Sequence, residues 1–189
     1  MWWGFGLWYR GVTFWLVVVA TGTSVCGIWR AGMLLLCHSD VYGRLIIKIS
    51  ECRNILRGHT STVRCLKMSD PKTAISGSRD TTLRIWDIER GVCKNVLVGH
   101  QASVRCLEIH GDLVVSGSYD TTARVWSISQ GTCLRTLSGH FSQIYAIAFD
   151  GNRIATGSLD TSVRVWNPHT GYAVHDAVFD LFTSILIFL

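Results

Sequence analysis

Three sets of residues in this chain carry the parts of a nucleophilic relay. His59 and Asp80, with Ser76 or Ser78 nearby, have counterparts in His100 and Asp120 and in His140 and Asp160. A base, a hydroxyl and a carboxylate are what a hydrolase triad needs. The set recurs three times at one spacing, however, and each Asp stands six residues before a Trp: Trp86, Trp126 and Trp166. No Gly-x-Ser-x-Gly elbow accompanies any of them. One enzyme needs one nucleophile, whereas a structural device is needed once per unit. The chain is therefore read as non-catalytic, with no cofactor and no metal. A buried carboxylate needs donors, a His supplies one, and an indole N–H needs an acceptor.

A second chemistry is anion recognition. Five residues after each His stand Arg64, Arg105 and Tyr145, and just before each Asp stand Arg79, Tyr119 and Leu159. Positions that hold one residue type in all copies build the unit, and positions that vary are free to bind. Guanidinium forks suit phosphate or carboxylate bidentately, and tyrosines add amphipathic contact area. Arg84, Arg124 and Arg164 recur in every copy and are read as structural.

The elements that must position these residues follow a period of about 40 residues, set by Gly58-His59, Gly99-His100 and Gly139-His140. Within a period, Val63–Met68, Thr73–Ser78 and Thr82–Asp87 read as strands, and Lys94–Val98 as a fourth, because short β-branched runs alternate with turn residues. No window carries a helical period. The expected fold class is all-β, with about three four-stranded units.

The Gly-His pairs and Trp86-Asp87 resemble the signatures of the WD40 family over residues 51–171. The later copies end Trp126-Ser127 and Trp166-Asn167. The resemblance implies a partial β-propeller, an open arc that leaves apolar faces and strand edges uncovered. It also implies a hydrogen-bonded chain in each blade through His59, Asp80 and Trp86, through His100, Asp120 and Trp126, and through His140, Asp160 and Trp166. Both variable columns would lie on the top face, so that the guanidinium groups of Arg64, Arg79 and Arg105 converge. Like charges brought together repel unless an anion joins them.

The phrases His59-Thr60-Ser61-Thr62-Val63-Arg64-Cys65, Ser76-Gly77-Ser78-Arg79-Asp80 and Ala102-Ser103-Val104-Arg105-Cys106 resemble a narrower group, the F-box/WD40 substrate receptors of SCF-type ubiquitin ligases. By that resemblance Arg64, Arg79 and Arg105 would hold the phosphate of a phosphorylated degron. Ser61 and Thr62 would assist, and Tyr119 and Tyr145 would line the peptide groove. The chain departs from that group in showing no F-box. The partner implied is a protein or phosphorylated peptide; the other reading is a structural scaffold whose arginines meet acidic protein surface or RNA backbone.

Composition fits a binding module. The net charge of +5 is not gathered into Lys/Arg runs, so generic nucleic-acid binding is not indicated. The seven Cys form no C-x-x-C pair, and four of them, Cys65, Cys93, Cys106 and Cys133, recur with the repeat and are read as small buried apolar strand residues. That points to a reducing compartment, nucleus or cytoplasm. Residues 1–50 do not match the repeat, and 1–36 carry only Arg10 and Arg30 as charges. Residues 11–29 are long enough to suggest a membrane span. For residues 15–29, allowed codons read from their third base spell a blade ending. The segment is accordingly read as an upstream blade out of frame, followed by a short insertion, with the true frame from about Cys52. Residues 172–189 form an apolar tail, read as a truncated or mis-spliced end, or else as a hydrophobic anchor.

Overall fold

In the computed structural model the described backbone covers residues 52–178, together with five strands earlier in the chain; side chains are described for 56–174. The early strands are β1 (Trp3–Tyr9), β2 (Val12–Val19), β3 (Val25–Trp29), β4 (His38–Ser39) and β5 (Leu45–Ile46). Strand β6 (Cys52–Arg57) leads into the first repeat, β7 (Val63–Asp70), β8 (Thr73–Ser78), β9 (Leu83–Asp87) and β10 (Val92–Leu97). The second is β11 (Val104–His110), β12 (Leu113–Ser118), β13 (Ala123–Ser127) and β14 (Thr132–Leu137). The third is β15 (Ile144–Phe149), β16 (Ile154–Ser158), β17 (Ser162–Trp166) and β18 (Ala173–Val178). The expected all-β class holds.

Each repeat is one antiparallel four-stranded sheet in sequence order. Strand β11, first in its sheet, packs against β7 on one side and β15 on the other, so the three sheets stand side by side as blades, and the described sheets do not close a ring. Burial is greatest in the second strand of a blade and least in the fourth. The second strand β8 is buried along its whole length, whereas the fourth strand β14 is exposed except at Leu137.

The core lies between blades. Ile75, Leu83 and Ile85 of the first blade meet Val104, Leu107 and Trp126 of the second. Val115, Val125 and Leu137 of the second meet Ile144, Ile154 and Trp166 of the third. Removing these faces from water is the main favourable term holding neighbours together. Close approach explains one repeated glycine: a Cβ on Gly77 would stand 2.6 Å from Val104 Cγ1 of the next blade and 2.7 Å from Cys65 Sγ.

The early strands β1, β2 and β3 form a further four-stranded sheet with β6. Its backbone register matches the other blades: Trp29 is the partner of Cys52, as Trp86 is of Cys93 and Trp126 of Cys133. Strands β2 and β3 fall within 11–29, and among the described residues no helix is long and apolar enough to cross a membrane. Residues 1–2, 10–11, 20–24, 30–37, 40–44, 47–51 and 179–189 lie outside the described residues, and so does most of the apolar tail with the expectations attached to it.

Candidate functional site

The His, Asp and Trp of each repeat are joined inside the blade, in the order Asp–His–hydroxyl–Trp. His59 Nδ1 lies 2.8 Å from Asp80 Oδ2, and His59 Nε2 lies 2.7 Å from Ser76 Oγ. Trp86 Nε1 donates to the same Ser76 Oγ at 2.8 Å. Because the carboxylate can only accept, Nδ1 carries the ring proton and Nε2 accepts from the serine. The Trp does not touch the Asp. The second blade repeats the pattern through Ser116 and the third through Thr156. Ser78 stands apart from the relay and fastens the turn. Its Oγ donates to the carbonyls of Ser61 and Thr62 and accepts from the Asp80 amide.

The carboxylate is the most heavily bonded group. Asp80 Oδ2 also accepts from the Thr60 amide, and Oδ1 accepts from the amide and hydroxyl of Thr82. Burial alone would raise this carboxyl, but the bonds from Thr82, His59 and the two amides outweigh it and hold it down at about 2. The same balance holds Asp120 and Asp160 well below the usual carboxylate range. Burial pulls His59 below its ordinary value, against the attraction of Asp80. Ser76 Oγ is fully buried and accepts from the Trp86 indole, so the hydroxyl of this relay faces the interior of the blade.

The recurring arginines are structural. Arg84 lies over Trp86, with Cζ 5.9 Å from the ring centroid. A Cβ on Gly58 would stand 2.5 Å from Arg84 Nη1 and 3.1 Å from the Trp86 ring, and Gly99 and Gly139 meet Arg124 and Arg164 in the same way. The Gly of each Gly-His pair is thus the lid of an Arg–Trp stack. The repeated cysteines divide into two kinds. Cys65 and Cys106 pack against the core, and burial raises the Cys65 thiol to about 12. The expectation of burial fails for the other pair: Cys93 is only half-buried and Cys133 is exposed, because their strands are the outer ones.

The varying columns meet across blades. Arg64 Cζ of the first blade lies 5.4 Å from the Tyr119 ring centroid of the second. Tyr119 touches Tyr145 of the third at 5.1 Å between ring centroids, and Arg105 Cζ lies 5.7 Å from Tyr145. Arg64, Tyr119, Tyr145 and Arg105 therefore form one continuous string spanning three blades. Each cation rests on a ring face, an arrangement worth about 0.5–1 kcal/mol at an exposed site. Hydrogen bonding with Tyr119 raises the Tyr145 phenol above its ordinary value, burial adds to this, and the two arginines oppose it.

Arg79, Ser61 and Thr62 sit beside this string through the backbone. The Arg79 amide donates to the Thr62 carbonyl at 2.8 Å, as Tyr119 does to Ser103 and Leu159 to Gln143. Arg79 and Thr62 are exposed and Ser61 is half-buried. No contact of the Arg79 side chain with the string is seen among the described residues. The lysines, in contrast, find partners: Lys67 pairs with Glu108 at 2.8 Å, Lys72 with Glu89 and Lys94 with Asp87. Among the described residues no ion pair uses Arg64, Arg79 or Arg105. Arg64 Nε and Ser103 Oγ are buried with no hydrogen-bond partner among the described residues.

Sequence reasoning passed over Ser103 and Gln143. Gln143 Oε1 accepts from the Tyr145 hydroxyl at 3.1 Å. Both occupy the column of Thr62, two positions before Arg64, Arg105 and Tyr145, so the comparison of copies that singled out the arginines would have found them.

A regular four-stranded blade, a buried Asp–His–hydroxyl–Trp chain in each, and a variable rim define a repeat-built protein-interaction module. The family model for the WD domain, G-beta repeat, matches residues 50–87, 91–127 and 131–167, more than half of the chain, which belongs to the WD40 family. Over 50 residues it is 44% identical to the probable E3 ubiquitin ligase complex SCF subunit sconB of Talaromyces marneffei, covering 26% of this chain and 6% of that protein. Over 44 residues it is 36% identical to mitochondrial division protein 1 of Aspergillus terreus, covering 23% of this chain and 7% of that one. Each match spans less than a tenth of the relative's own length. Among solved structures, the crystal structure of the computationally designed Ika8 protein is similar at a TM-score of 0.74 and 28% identity, covering 93% of this chain and 48% of that one.

Proposed function

We propose that this WD40 module recognises a phosphorylated peptide on its Arg–Tyr rim, in the manner of a ubiquitin-ligase substrate receptor of the nucleus or cytoplasm. One observation carries the reading: Arg64, Arg79 and Arg105 lie along the varying columns of neighbouring blades while, among the described residues, no ion pair engages them. A doubly charged phosphate supplies acceptor oxygens enough for two guanidinium forks. Ser61 and Thr62 stand within the same rim and can add hydroxyl donors. Tyr119 and Tyr145 hold two of the arginines by their faces and offer flat walls to a peptide. The match to an SCF subunit supports the class of pathway.

The test is a fluorescence titration of the full chain with one peptide in phosphothreonine and threonine forms. The phosphorylated form binds at least tenfold more tightly, and Arg79→Ala weakens it by about 1.5–3 kcal/mol, the worth of a hydrogen bond to a charged group. Equal affinity for both peptide forms would leave a scaffold without phosphate specificity.

A further inference from the structure

Each seam between blades joins one face of a blade to the opposite face of the next. On the receiving side stand Ile75, Leu83 and Ile85 in the first blade and Val115, Ala123 and Val125 in the second, none of them more than 2% exposed. Backbone register identifies their counterparts in the third blade. Ile75 pairs with Ile85 and Val115 with Val125, as Ala155 pairs with Val165. Gly77 pairs with Leu83 and Gly117 with Ala123, as Gly157 pairs with Val163. The third blade therefore carries the same apolar face.

Among the described residues nothing is seated on it. Ala155, Gly157 and Val165 are half-buried where their counterparts are buried. The glycines measure the difference. A Cβ on Gly77 would stand 2.6 Å from Val104 of the next blade, and a Cβ on Gly117 would stand 2.7 Å from Ile144. A Cβ on Gly157 would meet only Ala146 of its own blade, at 3.7 Å. A repeat-built molecule buries such a face against a neighbour.

The occupant must present what Val104 and Ile144 present, a sheet packed by its leading strand. Strands β11 and β15 do this within the chain. Strand β1 leads the sheet β1-β2-β3-β6 in the same antiparallel order. That sheet stands before the first blade: Leu56 of β6 packs with Leu66, Ala74 and Trp86, as Leu97 of β10 packs with Leu107, Val114 and Trp126. A receiving face and a leading strand thus stand at opposite ends of one open arc, where only another copy can join them. Length agrees. This chain takes up 48% of the similar Ika8 protein, so two copies amount to nearly the whole of it.

We infer that two copies of this chain join head to tail, the third-blade face of each receiving the β1-led sheet of the other. Two identical seams then close one ring, with four four-stranded sheets from each copy. A heterologous contact that closes after two copies covers both faces and stops growth. This goes beyond the peptide-binding reading and does not depend on it.

The test is sedimentation velocity on the full chain over a range of concentrations. The parent sediments as a species of twice 21.1 kDa and nothing larger. Gly157→Arg occupies the neighbour's seat without crowding its own blade, so it sediments at 21.1 kDa with an unchanged far-UV circular dichroism spectrum. Val165→Lys, on the adjacent strand of the same face, does the same and guards against a defect peculiar to the glycine. Fluorescently labelled Gly157→Arg still joins unlabelled parent through one seam, because its β1-led sheet is untouched. A parent that stays monomeric at every concentration overturns the proposal, and a loss of urea stability in Gly157→Arg would then show that the same chain covers the face. A dimer indifferent to both substitutions overturns it as well. Failure of the labelled variant to join the parent overturns the head-to-tail arrangement, and species that grow beyond the dimer overturn the closed ring.

Discussion

The interior of each blade and its rim are built under opposite rules. Inside, three blades repeat one device almost atom for atom: the His–Asp distances are 2.8, 2.8 and 2.9 Å, and the Trp–hydroxyl distance is 2.8 Å in all three. On the rim, equivalent positions hold Arg, Arg and Tyr, or Arg, Tyr and Leu. The difference is one of solvent. A buried polar group tolerates only the partners that satisfy it, so the interior cannot vary. The rim is in water, and its residues can be exchanged without cost to the blade. Repetition therefore marks what holds the blade together, and variation marks what is available to a partner.

The sharpest way to break this division is to delete one interior carboxylate. Asp120→Ala strands His100 Nδ1, the Gln101 amide and both donors of Thr122. Removing one partner from such a network costs about 3 kcal/mol, read as a fall in the urea midpoint. The second blade lies between two neighbours, so the loss extends to both interfaces. A variant as stable as the parent would mean that the relay is ornamental.

The rim should behave in the opposite way. Arg64→Ala weakens a phosphopeptide by about 2 kcal/mol and changes the urea midpoint little, because the side chain contributes only a stack on Tyr119. Its buried Nε has no protein acceptor to lose. A large loss of stability with unchanged binding would place Arg64 with the interior instead.

Acid separates the two regions without mutation. The unfolded His59 takes up its proton near pH 6.5 while the folded ring, lowered by burial, resists it. The unfolded state then binds more protons, so stability falls as pH drops below that value. The depressed carboxylates act next. Their stabilisation is complete above about pH 4, their unfolded range, and for Asp80 it is lost as pH falls toward about 2. Urea midpoints should be flat above pH 7, decline gently below 6.5 and drop steeply below 4. A midpoint unchanged from pH 7 to pH 3 would show that the relay does not store this stability.

Legibility in the sequence follows the same line. The blades, their strands and the relay members were readable because burial forces the same residue at the same spacing three times. The choice between Ser76 and Ser78 was not, since both flank Gly77 and share one face of the strand, and only their position along it decides which hydroxyl reaches the Trp. The Arg84–Trp86–Gly58 stack was legible as a repeat but not as a contact. The rim arginines were found by contrast between copies. Which of them touch depended on blade-to-blade geometry that no single repeat encodes, so the link from Arg64 to Tyr119 could be expected only as convergence. The exposure of Phe141 went unread because a single phenylalanine is informative only once its place on the surface is known.

The smallest effect tests whether repetition also implies relaxation. Thr81, Thr121 and Thr161 follow the turn Asp in each blade and all adopt left-handed backbone, with φ of 71°, 71° and 66°. A β-branched residue is an outlier there, and such strain costs on the order of 1–3 kcal/mol. The turn places the next residue so that the amide and hydroxyl of Ser162 reach Asp160 Oδ1. Glycine adopts this φ freely but adds about 0.4–1 kcal/mol of unfolded-state entropy. Thr161 is exposed, so its removal sacrifices little packing. Thr161→Gly should therefore raise stability by about 0.5–1 kcal/mol, seen as a small upward shift of the urea midpoint. A loss of about 1 kcal/mol or more would mean that the threonine methyl or hydroxyl holds the turn, and that the interior repeats this residue for its contacts and not in spite of its backbone.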